Sequence, residues 1–254
     1  MAGTATTIEE QIALLKNRGM EIEDEKKAAE CLLDIGYFRL GFYWFPFEKS
    51  YPRKVKRDHN FKDNTKFDYA IKLYYFDFDL RNIFLKYISR IEINFRTTIV
   101  YYVSNTYKNN PYWYPPAWKA LEFMSFGTII KLYENLKNPK LLCEISNVYG
   151  MSHPSQFSNY INVVRKLRNY CAHGKVLFDL NLDEAISDGP LGYLGNQKNS
   201  LFGIYSVFKY FLGRISSNRV KEMQAELLRA FDRVPYPSVK TIIFNNSGFN
   251  IEDI

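Results

Sequence analysis

From Asn64 to Lys108 the chain contains neither proline nor glycine, and bulky apolar residues return mostly at three- and four-residue steps, at Phe67, Ile71, Tyr74, Phe78, Ile83, Tyr87, Ile91, Phe95 and Ile99. That period is helical, and nothing in the run can break a helix, so one long helix or two nearly collinear ones are expected here. The stretch NNPYWYPPAW that follows ends it, because its three prolines cannot continue helical backbone.

The flanking sequence has the same character. IEEQIALLKNRG places Ile8, Ile12 and Leu15 at helical spacing ahead of Gly19, and EDEKKAAECLLDIG opens on acidic residues and closes at Gly36. GYFRLGFYWFPFE reads as a short aromatic helix broken by Pro46, its rings either core or a platform on which unpaired bases stack. Further helices are expected at about 126–137, 139–149, 155–173, 199–214 and 217–232, with one long loop, DLNLDEAISDGPLGYLGNQKN. No alternation lasts long enough to build a sheet, so the fold class is all-α.

Composition narrows the function. The 254 residues carry 46% hydrophobic and 24% charged side chains, with no apolar run near the ~20 residues a membrane-spanning helix needs. The N-terminus lacks a basic segment followed by a long apolar run, so a cytoplasmic protein is expected. Three widely spaced cysteines, Cys31, Cys143 and Cys171, give neither a disulfide framework nor a CxxC zinc site. His59 and His153 stand without ligand spacing, and neither GxxxxGK[ST] nor GxGxxG occurs, so no metal and no cofactor are expected. The net charge of +7 suits a polyanionic partner. Five basic residues fall in KSYPRKVKRDHN, including Lys54 and Arg57; the stretch is either a solvated linker or a footprint for RNA phosphate.

The chemistry concentrates in PSQFSNYINVVRKLRNYCAHG. On a helical wheel Phe157, Tyr160, Ile161, Val164, Leu167 and Cys171 form an apolar arc, while Arg165, Asn169 and His173, four apart, stack into a polar stripe. Arg168 departs from this division. It points toward the apolar arc between Ile161, Val164 and Ala172, roughly 140° from His173 on an ideal helix, so its guanidinium must be paired or lie at an interface. An ion pair with Glu92 is one solution. Contact with His173 at a common phosphate, through a distorted last turn before Gly174 or across a dimer axis, is another.

Here the residues carry a resemblance. Arg168, Asn169 and His173 give R-N-x3-H, which resembles the R-x4-6-H signature of the HEPN superfamily of α-helical ribonucleases. IGYFRLGFYWFPF at 35–47, LYYFDFDLRNIFLKYISRIEINFRT at 73–97 and RKLRNYCAHGKVLF at 165–178 are similar, in order, to blocks of the abortive-infection AbiD/AbiF family of bacterial phage-defence proteins. Lys175 stands where the nucleotidyltransferase-paired HEPN subgroup has a tyrosine.

The resemblance implies a HEPN-like helical bundle forming a single domain over 1–254, with an N-terminal extension (about 1–60), a core (about 64–214) and a C-terminal extension (about 215–254). It implies a toxin that cleaves RNA endonucleolytically without metal, leaving 2′,3′-cyclic phosphate and 5′-hydroxyl ends, acting as a homodimer with a composite active site and held in check by a cognate small non-coding RNA. His173 would be general base or acid, Arg168 would bind and stabilise the phosphoryl group, and Asn169 would orient the histidine or the phosphate through its amide. Glu92 and Arg96, four apart on the long helix, either pair with each other or face the motif helix, Arg96 adding positive potential; Arg165, Lys54 and Arg57 would support RNA binding. Two other classes fit the same residues: an RNA-binding module that no longer cleaves, and a protein-interaction or dimerisation domain.

Overall fold

Thr7 starts the first helix by accepting a hydrogen bond from the Glu10 amide while the Glu10 carboxylate accepts from the Thr7 amide, a reciprocal cap that uses two otherwise unpaired donors. The structure, a computed structural model, describes residues 5–53, 55–109, 116–250 and 252. In chain order its helices are α1 (Ile8–Asn17), α2 (Glu25–Asp34), α3 (Tyr37–Trp44), α4 (Phe67–Thr106), α5 (Pro116–Glu122), α6 (Phe126–Glu134), α7 (Pro139–Val148), α8 (Pro154–Ala172), α9 (Leu201–Ile215), α10 (Ser217–Asp232) and α11 (Pro237–Ser247). Short 3-10 turns at Phe45–Phe47 and Gly195–Asn199 complete the set, and no strand occurs among the described residues. The expected all-α class is what forms. Among the described residues no helix is long and apolar enough to cross a membrane.

The long uninterrupted run becomes α4, as its spacing requires, and ends at Thr106. The proline-rich residues 110–115 that were expected to end it lie outside the described residues. α5 and α11 were not anticipated as separate helices. The chain forms two compact units, and their boundary falls inside α4.

The first unit comprises the chain up to Asp79 and Ala230–Ile243. Leu15, Leu32, Leu40, Tyr43, Trp44 and Phe76 are buried in it. The aromatic block of α3 divides: Tyr43 and Trp44 are core, whereas Phe38 is 89% exposed and Phe42 58%. Tyr43 donates its hydroxyl to the fully buried Asp77 carboxylate at 3.0 Å. A hydrogen bond to a buried charge contributes about 1.5–3 kcal/mol. Tyr43→Phe is therefore expected to lower stability by that amount in urea unfolding, while Phe38→Ser changes it by less than about 0.5 kcal/mol; equal effects would contradict this division of the block.

The basic loop after α3 is organised rather than a free linker, although most of its side chains are exposed. Glu48 is 1% exposed, and its carboxylate accepts from both Nε (2.9 Å) and Nη2 of Arg57. The Arg57 guanidinium also lies 4.3 Å from the Phe45 ring centroid. Arg57 is thus committed to holding the base of its own loop, because a buried carboxylate left alone would be costly.

The second unit comprises Leu80–Arg229 and the segment from Phe244 onward. α8 sits at its centre and packs on α6, α7 and α9. The apolar arc read from the wheel is buried throughout, from Phe157 to Cys171. Phe157 has the rings of Phe95, Tyr133, Tyr149 and Phe211 within 5.0–5.8 Å. Burial raises the phenols of Tyr133 and Tyr149 above their ordinary range, so both stay neutral in the core. The long loop 179–199 packs as well: Leu180, Leu182 and Ile186 are buried, and Leu182 and Asn199 exchange backbone and side-chain hydrogen bonds.

Candidate functional site

α8 carries the polar motif on its last turns, and its end is tightly defined. The Lys175 amide donates to the Tyr170 carbonyl at 2.9 Å and the Gly174 amide to the Cys171 carbonyl at 3.1 Å, a Schellman closure. Gly174 has φ +64, which a residue with a Cβ adopts only at a cost. His173 is consequently the C-cap of α8, exposed, and its ring has no partner among the described residues.

One turn back, the Arg168 side chain is 39% exposed and forms an ion pair through Nε with Glu92 of α4 at 3.2 Å. Its Nη1 donates to Asn169 Oδ1 at 3.4 Å. Within one chain, the guanidinium is paired with Glu92. The wheel placed Arg168 against the apolar arc, but Ala172 beside it is exposed, so the buried stripe stops short and Arg168 lies at its margin.

Arg168, Asn169 and Arg165 line a cleft of about 360 Å³ whose opposite wall is α6, from Ser125 to Glu134. Arg165 donates its Nε to Asn162 Oδ1 at 2.9 Å. Asn162 is fixed in turn, donating to Glu134 (2.8 Å) and to the Ser158 carbonyl (2.9 Å). The stripe Arg165, Asn169 and His173 is thereby split: its first two members line the cleft with Arg168, and His173 does not. Lys166, next to Arg165, turns instead to Glu184 at 2.6 Å, which lowers the Glu184 carboxyl below its ordinary value.

Glu92 faces α8, as one reading of the long helix required, but Arg96 does not join it. Its Nη2 donates to the Met124 carbonyl at 3.0 Å, ahead of α6, and its Nε is buried without a partner, so no Glu92–Arg96 pair forms and Arg96 is not among the residues that line the cleft. Arg57 belongs to the first unit, held by Glu48, and Lys54 lies outside the described residues.

Two contributors were missed. Lys131 lines the cleft from α6, and nothing in α6 alone signals that it meets α8. Arg81, 6% exposed, donates Nη1 to the Lys175 carbonyl at 3.2 Å, fastening the segment just beyond His173 to α4. The second had a visible signal: Arg81 falls on the apolar stripe of α4 with Phe84, Ile88 and Ile91, where a charge needs a reason.

A family model described as Abi-like protein matches residues 30–115 and 102–179. The chain belongs to the Abi-like protein family. The match runs from α2 through the Schellman closure, so Glu92, Lys131, Arg165, Arg168, Asn169 and His173 of this Abi-like protein all fall inside it, and α9–α11 lie beyond it. No curated protein and no solved structure is significantly similar to the chain. Membership of an abortive-infection family follows for this Abi-like protein.

Proposed function

We propose that this Abi-like protein is a HEPN-type endoribonuclease of an abortive-infection system, a cytoplasmic toxin that cuts RNA without a metal ion. The observation that carries the reading is Arg168, braced from behind by Glu92 and Asn169 and turned toward a cleft it shares with Arg165. A guanidinium fixed in this way meets a phosphodiester with its remaining N–H groups and needs no rearrangement as charge builds on phosphorus.

In the reaction proposed, the ribose 2′-oxygen attacks the adjacent phosphorus while His173 takes the hydroxyl proton. The P–O5′ bond breaks, the leaving oxygen takes a proton from water, the imidazolium returns its proton to solvent, and 2′,3′-cyclic phosphate and 5′-hydroxyl ends remain. Histidine is the side chain that most often serves as general acid or base. Asn169 acts on Arg168 as a positioning residue. Because His173 is absent from the cleft lining, the site is proposed to be completed between two copies of the chain, each cleft receiving the imidazole of the other. A cognate small non-coding RNA occupying the cleft would keep the toxin silent. The same absence favours, as the second reading, an RNA-binding module without cleavage.

The test uses purified wild type, His173→Ala and Arg168→Ala with single-stranded RNA in EDTA. Cyclic-phosphate ends from wild type alone are expected. Cleavage that requires added metal, or equal products from all three, would overturn the mechanism; salt-sensitive binding without products would select the second reading.

A further inference from the structure

Arg165 and Arg168 are built alike, although they sit three residues apart and use different partners. Each guanidinium has its Nε engaged by a side-chain oxygen at the back, Asn162 Oδ1 for Arg165 at 2.9 Å and Glu92 Oε1 for Arg168 at 3.2 Å. Both line the same cleft, and the Nη groups of Arg165 have no hydrogen-bond partner among the described residues. The arm of Arg165 lies along α6: a Cβ built on Gly127 would come 3.4 Å from Arg165 Cδ, ordinary van der Waals contact. Opposite stands Lys131, exposed and with no ionic partner among the described residues. Against these three cations the lining carries one carboxylate, Glu134, which is engaged by Asn162.

An anion with a single phosphate would occupy one fork and leave the other cations repelling each other across the cleft. Residues at i and i+3 on a helix have Cβ atoms about 5–6 Å apart, close to the step between consecutive phosphates of an extended strand. The geometry points to a second phosphate subsite, formed by Arg165 and Lys131, that holds the phosphodiester next to the one on Arg168. The inference rests on the reading of RNA as the substrate, and it names the substrate class more closely: an internal stretch of single-stranded RNA with at least two consecutive phosphates, rather than a dinucleoside monophosphate or a mononucleotide. Arg165 and Lys131 then act on substrate affinity, and Arg168 on the reacting phosphate.

The test measures binding of a fluorescein-labelled, fully 2′-O-methylated 12-mer of mixed sequence, which cannot be cleaved, by anisotropy across a salt series. Arg165→Gln and Lys131→Gln are each expected to weaken binding about three- to tenfold and to reduce the slope of log K against log salt, and the double variant to reduce it by about 0.7, the value for one phosphate on a single strand. Lys131 is exposed, so its variant folds whatever happens at Arg165. Lys166→Gln, whose ammonium is turned to Glu184, is the control with an unchanged slope. With cleavable RNA the two cleft variants raise KM, whereas Arg168→Ala lowers kcat. Slopes equal to wild type for both cleft variants would overturn the subsite even if the enzyme cuts RNA; loss of slope in a protein that never cuts would keep the subsite and overturn the ribonuclease.

Discussion

Mixing Arg168→Ala chains with His173→Ala chains is expected to restore RNA cleavage to about a quarter of the wild-type rate, although each variant alone falls by roughly a thousandfold. In the two-fold assembly proposed above, the guanidinium of one copy would work with the imidazole of the other. Random pairing makes about half of the dimers mixed, and each mixed dimer has one complete site and one doubly defective site. The structural basis is the division of the motif: Arg168 and Asn169 line the cleft, while His173 caps α8 outside it. A site formed within one chain would give no recovery at any mixing ratio, and sedimentation of the mixture would establish whether mixed dimers were present. Glu92→Gln belongs to the same experiment. It keeps an oxygen near Arg168 Nε but removes the charge, so a smaller loss than Arg168→Ala is expected.

Phe157→Ala should destabilise the second unit by about 3–5 kcal/mol, among the larger costs a single substitution can have. Phe157 is fully buried in a cage of four other aromatic rings contributed by α4, α6, α9 and the residue following α7. Large rings cannot collapse into the space a phenyl group leaves, and the edge-to-face contacts are lost with it. At about 2–4 °C per kcal/mol for a chain of this size, the melting temperature is expected to fall by roughly 6–20 °C. A calorimetric shift under a few degrees would mean that the cage is not the core of this unit.

What could be read in the sequence follows from range. α4 was legible because its spacing and its lack of proline and glycine are local properties, and so was the buried arc of α8. α11 was not: Thr241, Ile242, Ile243, Asn245 and Asn246 have modest helix propensity, and the helix is stabilised by burying Val239 and Ile243. The partner of Arg168 was within reach, since a cation near an apolar arc demands an anion, and Glu92 was at hand. The wall opposite was not, because the meeting of α6 and α8 is a tertiary fact that leaves no period in either sequence. Arg96 went astray for a related reason. Spacing four from Glu92 makes pairing possible, but a backbone carbonyl at Met124 competes for the same guanidinium and holds it.

The closure of α8 has a consequence for how a substrate would spend its binding energy. Gly174 and the Arg81 bond to the Lys175 carbonyl fix the backbone on the far side of His173, and the last helical turn fixes it on the near side. Only the imidazole itself remains to be ordered. Immobilising one such side chain costs about 0.5–1.5 kcal/mol, against about 1–2 kcal/mol for every residue of a loop that has to be folded around a ligand. In the proposed ribonuclease, a strand of RNA arriving at this surface would meet a histidine whose main chain is already in place, and most of its affinity would remain available for choosing which RNA to hold.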